Sequence, residues 1–306
     1  MSRGKSRRSL ELIEASIEIL REIQPATVRA VCYRLFTLGL IDSMSRNNTN
    51  KVGRQLTDAR EAGWIPWAWI VDETRGVEGA PTWTDPAEFA EAVTRDYRKN
   101  KWSVQPVRLE IWSEKGTIRG TLAPVLDQYE VPFRVMHGFA SATAVQEIAR
   151  ESLTSEQRLV ALYVGDWDPS GLHMSEEDLP GRLEEYRVRM MRSGAIPPDE
   201  RGTSARPEIE RVALTEEDIS DPALPDFNAD TKHGDPRYRW FVEAYGRRCW
   251  ELDALSPVVL RERVEAAIVE RLDRAIWDRY VAAETMERES ITRTVQTWRT
   301  LAGTPA

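Results

Sequence analysis

Leu159-Val-Ala-Leu-Tyr-Val-Gly165-Asp166-Trp167-Asp168-Pro169-Ser170-Gly171 is an apolar run that ends in two aspartates spaced i and i+2. An unbroken apolar stretch of this length, closed by Gly-Asp, reads as a buried strand of a parallel sheet. Side chains alternate along a strand, so both carboxylates project to the same side at its carboxyl end. In open α/β sheets that edge is where ligands bind. Two adjacent anions raise each other's pKa unless a cation sits between them. A hard divalent ion with oxygen ligands, Mg2+ or in its place Mn2+, is the usual resolution. The same spacing also suits a solvated turn or a helix cap, and Pro169 and Gly171 do turn the chain.

Working outward, a second apolar strand over 107–112 ends in Ser113-Glu114-Lys115-Gly116 and brings a third carboxylate to the same sheet edge. Further strands are expected at 131–136 and 208–213, with helices at about 117–128 and 141–151. Strand, helix, strand, helix, strand implies an α/β domain whose mostly parallel sheet is covered on both faces. Residues 176–205, rich in Glu, Arg and Met, read as an insertion or exposed hairpin, and 220–237 as a long proline-bearing loop. Two helices, 256–272 and about 274–299, close the chain.

The amino-terminal part has a different rhythm. Leu10, Ile13, Ile17 and Leu20 recur at helical spacing and predict a helix over 9–23. Pro25 and Thr27 open a second helix with Val28, Val31, Cys32 and Leu35 as its stripe and Gly39 as a stop. A third carries Val52, Leu56 and Ala59 inward and ends at Gly63. The β-prone Trp64-Ile-Pro-Trp-Ala-Trp-Ile-Val71 follows. Three short helices and a strand pair outline a winged helix. A helix from about 86 to 98 leads to the polar joint Lys99-Asn-Lys101, which divides the chain into domains 1–100 and 101–306.

Net charge is −8, yet residues 1–60 hold 11 Lys/Arg against 6 Asp/Glu, and the remainder 31 against 44. A basic amino-terminal part on an acidic body suits a DNA-docking module attached to a metal-binding one, although surface charge can also simply vary along a chain. No apolar run approaches the roughly 18 residues that span a bilayer, so no membrane partner is expected. Two cysteines and three scattered histidines (His137, His173, His233) give neither a disulfide framework nor a zinc cluster. A cytoplasmic, reducing setting follows.

Glu-Lys-Gly at 114–116, Gly-Asp-Trp-Asp-Pro-Ser-Gly at 165–171 and Glu-Leu-Asp-Ala-Leu at 251–255 resemble the A subunit of DNA topoisomerase VI and the related meiotic double-strand-break proteins. In that group a winged helix precedes a Rossmann-like Toprim domain. The resemblance implies that Glu114, Asp166 and Asp168 hold Mg2+. Some Toprim domains have a third acid two residues beyond the second Asp; Ser170 stands there, which leaves a second metal ion open. The family's winged helix carries an Arg followed four residues later by a Tyr that attacks DNA phosphate, matched here by Arg29 and Tyr33. Arg29 could steady the phosphate that Tyr33 attacks. Ala30 and Cys32 depart from the family's acidic and aromatic residues at those places. On the helical wheel Tyr33 lies off the apolar stripe. The alternative is that Tyr33 packs against the neighbouring domain and Arg29 pairs with a surface acid.

Lys115 could serve as an electrostatic clamp or general acid on the leaving oxygen, or simply be solvated. Arg54 and Arg60, on the third helix, could contact phosphates or form a charged outer face. The tryptophans at 64, 67, 69 and 83 fit wing and inter-domain packing better than base stacking. The resemblance implies a homodimer on double-stranded DNA, in which Tyr33 of one subunit attacks a phosphate held by the metal site of the other. Strand passage would need a separate ATPase subunit, because the chain has no phosphate-binding loop. Two alternatives compete: a Toprim endonuclease that uses metal-activated water, and a DNA-binding or assembly factor that no longer cuts.

Overall fold

The computed structural model describes residues 7–71, 81–136, 142–203 and 205–302. They form two compact units, residues 1–73 with 109–270 and residues 74–108 with 271–306. The joint expected at Lys99–Lys101 lies within the second unit.

In the first unit, α1 (Arg7–Ile23), α2 (Val28–Thr37) and α3 (Arg46–Glu61) pack around Ile13, Leu20, Val31, Leu35, Val52 and Leu56, all buried. Gly39 and Gly63, expected as stops, adopt the left-handed backbone that L-residues avoid. The stretch 64–71 departs from the expected strand pair. Trp67–Trp69 form a 3-10 turn, and only β2 (Ile70–Val71) is extended, pairing in parallel with β1 (Ala26–Thr27). Pro66, which has no backbone N–H to give a ladder, stands immediately before that turn. No wing hairpin occurs among the described residues, and 72–80 lie outside them.

After α4 (Pro86–Asp96), which belongs to the second unit, the α/β body begins. It runs β3 (Val107–Ser113), α5 (Ile118–Tyr129), β4 (Phe133–Val135), α6 (Ala142–Thr154), β5 (Arg158–Val164), α7 (Pro169–His173), α8 (Leu179–Ser193) and β6 (Glu208–Ala213). The sheet order is β4-β3-β5-β6, with β3 and β4 parallel and β5 and β6 parallel. The four expected strands and the two helices between them are all present. Leu159, Ala161 and Tyr163 face α6 and α8, sharing a core with Trp112, Ile148 and Leu183. Alternation turns Val160, Leu162 and Val164 to the other face, where they too are buried.

Residues 176–205 do not form a loose insertion. Leu179, Leu183, Arg187 and Met190 recur at helical spacing and are buried, so α8 packs on α6. Its charged outer face disguises that stripe. Beyond β6 come α9 (Glu216–Ser220), β7 (Phe227–Asn228), α10 (Tyr238–Tyr245), β8 (Arg248–Cys249) and α11 (Pro257–Glu270), the last packed on α5 and β6. In the second unit α4 packs on α12 (Arg274–Ala302), where Lys101 and Glu284 make a buried ion pair at 2.5 Å. No described helix is long and apolar enough to cross a membrane.

Candidate metal centre

β3 and β5 are neighbours in the sheet, so Glu114 and the Asp-x-Asp turn emerge side by side at its carboxyl edge. Beyond β5 the chain stays extended because Trp167 exchanges both backbone hydrogen bonds with Trp250, at 2.9 and 3.0 Å. That bridge preserves the strand alternation. The Trp167 ring meets Tyr245 edge-on, and the residues on either side project the opposite way. Asp168 then caps α7, its Oδ1 accepting the Gly171 amide at 2.8 Å. The helix-cap alternative is therefore realised alongside the clustering of acids. Gly171 has no room for a side chain, since a Cβ there would lie 2.4 Å from the Asp166 carbonyl oxygen.

Lysines from two distant parts of the chain hold the two aspartates. Lys115 Nζ lies 2.8 Å from Asp166 Oδ1 and 3.1 Å from Asp253 Oδ2. The Leu252 amide also donates to Asp166 Oδ1, at 2.7 Å. Lys232 Nζ lies 3.2 Å from Asp168 Oδ2. Burial raises the Asp166 carboxyl pKa; Lys115 opposes that and Asp168 adds to it. Glu114 has no hydrogen bond or ion pair among the described residues. Burial, then Asp166 and Asp168, push its carboxyl up to about 7. For Lys115, burial alone would lower the ammonium pKa, but Asp166 and Asp253 outweigh it and keep the group charged.

Arg211, on β6, laces the turn together from below. It donates to the carbonyls of Gly165 (3.2 Å), Asp166 (3.3 Å) and Gly171 (2.7 Å), and its charge is matched by Glu176 at 3.6 Å. Neither Arg211 nor Lys232 was legible in the sequence. Arg211 sits in a strand whose Glu-Ile-Glu-Arg pattern resembles a solvated face, and Lys232 lies in the loop before α10, where no local spacing points to Asp168.

The amino-terminal helices reach the same edge. Thr27 caps α2 and also donates to Asp253 Oδ1 at 2.5 Å. The Arg29 guanidinium makes a two-point ion pair with the Glu251 carboxylate. The guanidinium carbon lies 5.8 Å from the centre of the Tyr33 ring. Tyr33 stays outside the three-helix core, in keeping with its place off the stripe. It is nevertheless buried, because α2 has a second neighbour in the Leu252–Ala254 turn. Burial first, and then Glu251, push its hydroxyl pKa well above the usual range, against the pull of Arg29. Between α2 and the sheet edge lies an open cleft of about 500 Å³, lined by Arg29, Lys115, Asp166, Glu251 and Asp253 among others.

The other expected nucleic-acid contacts divide. Arg54 is exposed beside an open groove of about 660 Å³ between α2 and α3. Arg60 is committed instead to the turn, its guanidinium 4.3 Å over the Trp67 ring and donating to the Trp67 carbonyl. Trp64 and Trp67 are exposed rather than packed. His137 lies outside the described residues.

The acids fit a divalent cation by charge and donor type. With Glu114 ionised, as a bound cation would require, Glu114, Asp166, Asp168, Glu251 and Asp253 face Arg29, Lys115 and Lys232, which leaves two negative charges over. All free donors are hard carboxylate oxygens, suited to Mg2+ or Mn2+. Among the described residues no group of three or more His, Cys, Asp or Glu side chains forms a preformed metal cluster. Comparison with protein-family models, curated proteins and solved structures finds no match to the chain.

Proposed function

We propose that this chain is a winged-helix and Toprim-type protein that cleaves the backbone of double-stranded DNA with Mg2+ or Mn2+. The observation that carries this reading is Glu114, half-buried and unpaired, beside Asp166 and Asp168 at the ends of two adjacent strands. A bound divalent ion would act as a Lewis acid on a phosphate oxygen. The chain's own groups do the rest. Lys115 places a positive charge beside Asp166, where it can neutralise charge developing on the phosphate or protonate the departing oxygen. Arg29, on the cleft wall, offers a planar fork that matches a phosphate as well as it matches Glu251.

Two nucleophiles satisfy the same site. On the tyrosyl route the Tyr33 oxygen bonds to phosphorus and loses its proton, while the P–O bond to the leaving sugar breaks and that oxygen takes up a proton. The resulting link conserves the energy of the broken bond and permits rejoining. Acting across a homodimer, and with a separate ATPase subunit, this route gives topoisomerase chemistry. On the hydrolytic route a water oxygen bonds to phosphorus and loses a proton, the P–O bond to the leaving sugar breaks and its oxygen takes up a proton, and no link to the protein forms. The buried Tyr33 hydroxyl, with its raised pKa, favours water in the arrangement seen here. Supercoiled plasmid carrying a backbone label, incubated with Mg2+ and the full chain, separates them. Label retained on denatured wild-type protein and lost in Tyr33→Phe supports the tyrosyl route. Equal cleavage by both proteins with no adduct establishes hydrolysis, and no cleavage by wild type removes the proposal.

A further inference from the structure

Lys232 lies far in sequence from Glu114, Asp166 and Asp168, yet its ammonium ends among them. Its contact is with Asp168 Oδ2 at 3.2 Å, on a carboxylate that is almost wholly buried while the lysine stays about half exposed. Its ammonium therefore sits on the solvent side of the cluster, against the Asp168 carboxylate. Meanwhile Asp168 Oδ1 is occupied by the Gly171 amide. Asp166 Oδ1 is occupied by Lys115 and the Leu252 amide. The oxygens without a partner among the described residues are the Glu114 carboxylate and Asp166 Oδ2. That is room for one ion, with its remaining positions filled by water or phosphate. A second ion would have to share Asp168 Oδ2, where Lys232 sits.

We propose that Lys232 is a positioning residue that supplies, as an ammonium on Asp168, the positive charge a second metal ion would otherwise bring, so that the site takes a single divalent ion. This rests on the metal-dependent reading above. Its physical basis is local neutrality: once Glu114 gives up its proton to bind an ion, two negative charges remain over after the side-chain cations are counted, and one divalent ion removes them. A second ion would leave the cluster positive before any phosphate arrived.

The test counts Mn2+ bound per full chain by electron paramagnetic resonance titration, in wild type, Lys232→Arg and Lys232→Glu, each first shown to keep wild-type circular dichroism. Lys232 is half exposed and its backbone belongs to a short surface turn, so the fold should tolerate both substitutions. One ion is expected in wild type and Lys232→Arg. Two are expected in Lys232→Glu, where the fixed cation is replaced by a further carboxylate. Two ions in wild type, or one in Lys232→Glu, would overturn the role of Lys232 while leaving the metal site standing. No ion bound by wild type would instead remove the metal-dependent reading on which the proposal rests.

Discussion

The carboxylate edge and helix α2 meet across one cleft but treat their polar groups in opposite ways. At the edge, lysines have been brought against the buried acids: Lys115 against Asp166 and Asp253, and Lys232 against Asp168. On α2, the Tyr33 hydroxyl is buried and shares Arg29 with Glu251, and its proton is held tightly. One region pairs its buried polar groups with cations of their own, and the other leaves a buried hydroxyl whose proton is hard to remove.

The largest effect should come from the turn that aims the acids. Gly171→Ala drives a Cβ into the Asp166 carbonyl, and a main-chain atom cannot swing aside as a side chain can. Thermal or urea unfolding should show a loss of about 2–4 kcal/mol, with loss of Mn2+ binding. Gly181→Ala, on the open side of α8, should be neutral or slightly stabilising. Equal behaviour of the two variants would contradict the account of the turn. Arg211→Ala, which strips the hydrogen bonds from three carbonyls of the same turn, should cost about 2–3 kcal/mol in the same assay.

A smaller, pH-dependent effect follows from Glu114. Its carboxyl, pushed up to about 7 from an ordinary 4.5, holds a proton in the folded protein that the unfolded chain releases. Metal-free protein should therefore lose stability as pH rises from about 4.5 to 7, and Glu114→Gln should flatten that slope. Because an ion needs the carboxylate, Mn2+ affinity should instead rise with pH, by up to tenfold per unit below about 7 and little above it. A wild-type affinity indifferent to pH between 5.5 and 7 would count against Glu114 as a ligand. The smallest effect belongs to α2. Tyr33→Phe removes a hydroxyl but keeps the packed ring, so unfolding should shift by about 1 kcal/mol or less. A loss of several kcal/mol would mean that the hydroxyl holds α2 in place.

The same contrast explains how much could be read from residues alone. The edge was legible because strand alternation is a local rule. Once 159–164 reads as a strand, Asp166 and Asp168 must share a side, and the strand at 107–113 must deliver Glu114 nearby. The lysine partners were less so, because the loop carrying Lys232 follows no period. On α2 the period of the helix revealed one packing face, that of Val31 and Leu35. A helix with two neighbours hides the second, so the residues placed Tyr33 off the stripe and left open whether it packed elsewhere, which the Leu252–Ala254 turn against α2 accounts for. In α8 the error ran the other way, since a charge-rich outer face masked Leu179, Leu183 and Met190 on the inner one.

On the proposed function, the acids at the ends of β3 and β5 hold the ion on which backbone cleavage depends. The most direct measurement is the initial rate of supercoiled-plasmid cleavage in Mg2+ by wild type and by Asp166→Asn, which keeps the shape and removes the charge. A wild-type rate that disappears on chelation, and falls by at least about a hundredfold in Asp166→Asn, is the predicted result. Undiminished Mg2+-dependent cleavage by a well-folded Asp166→Asn protein would contradict it.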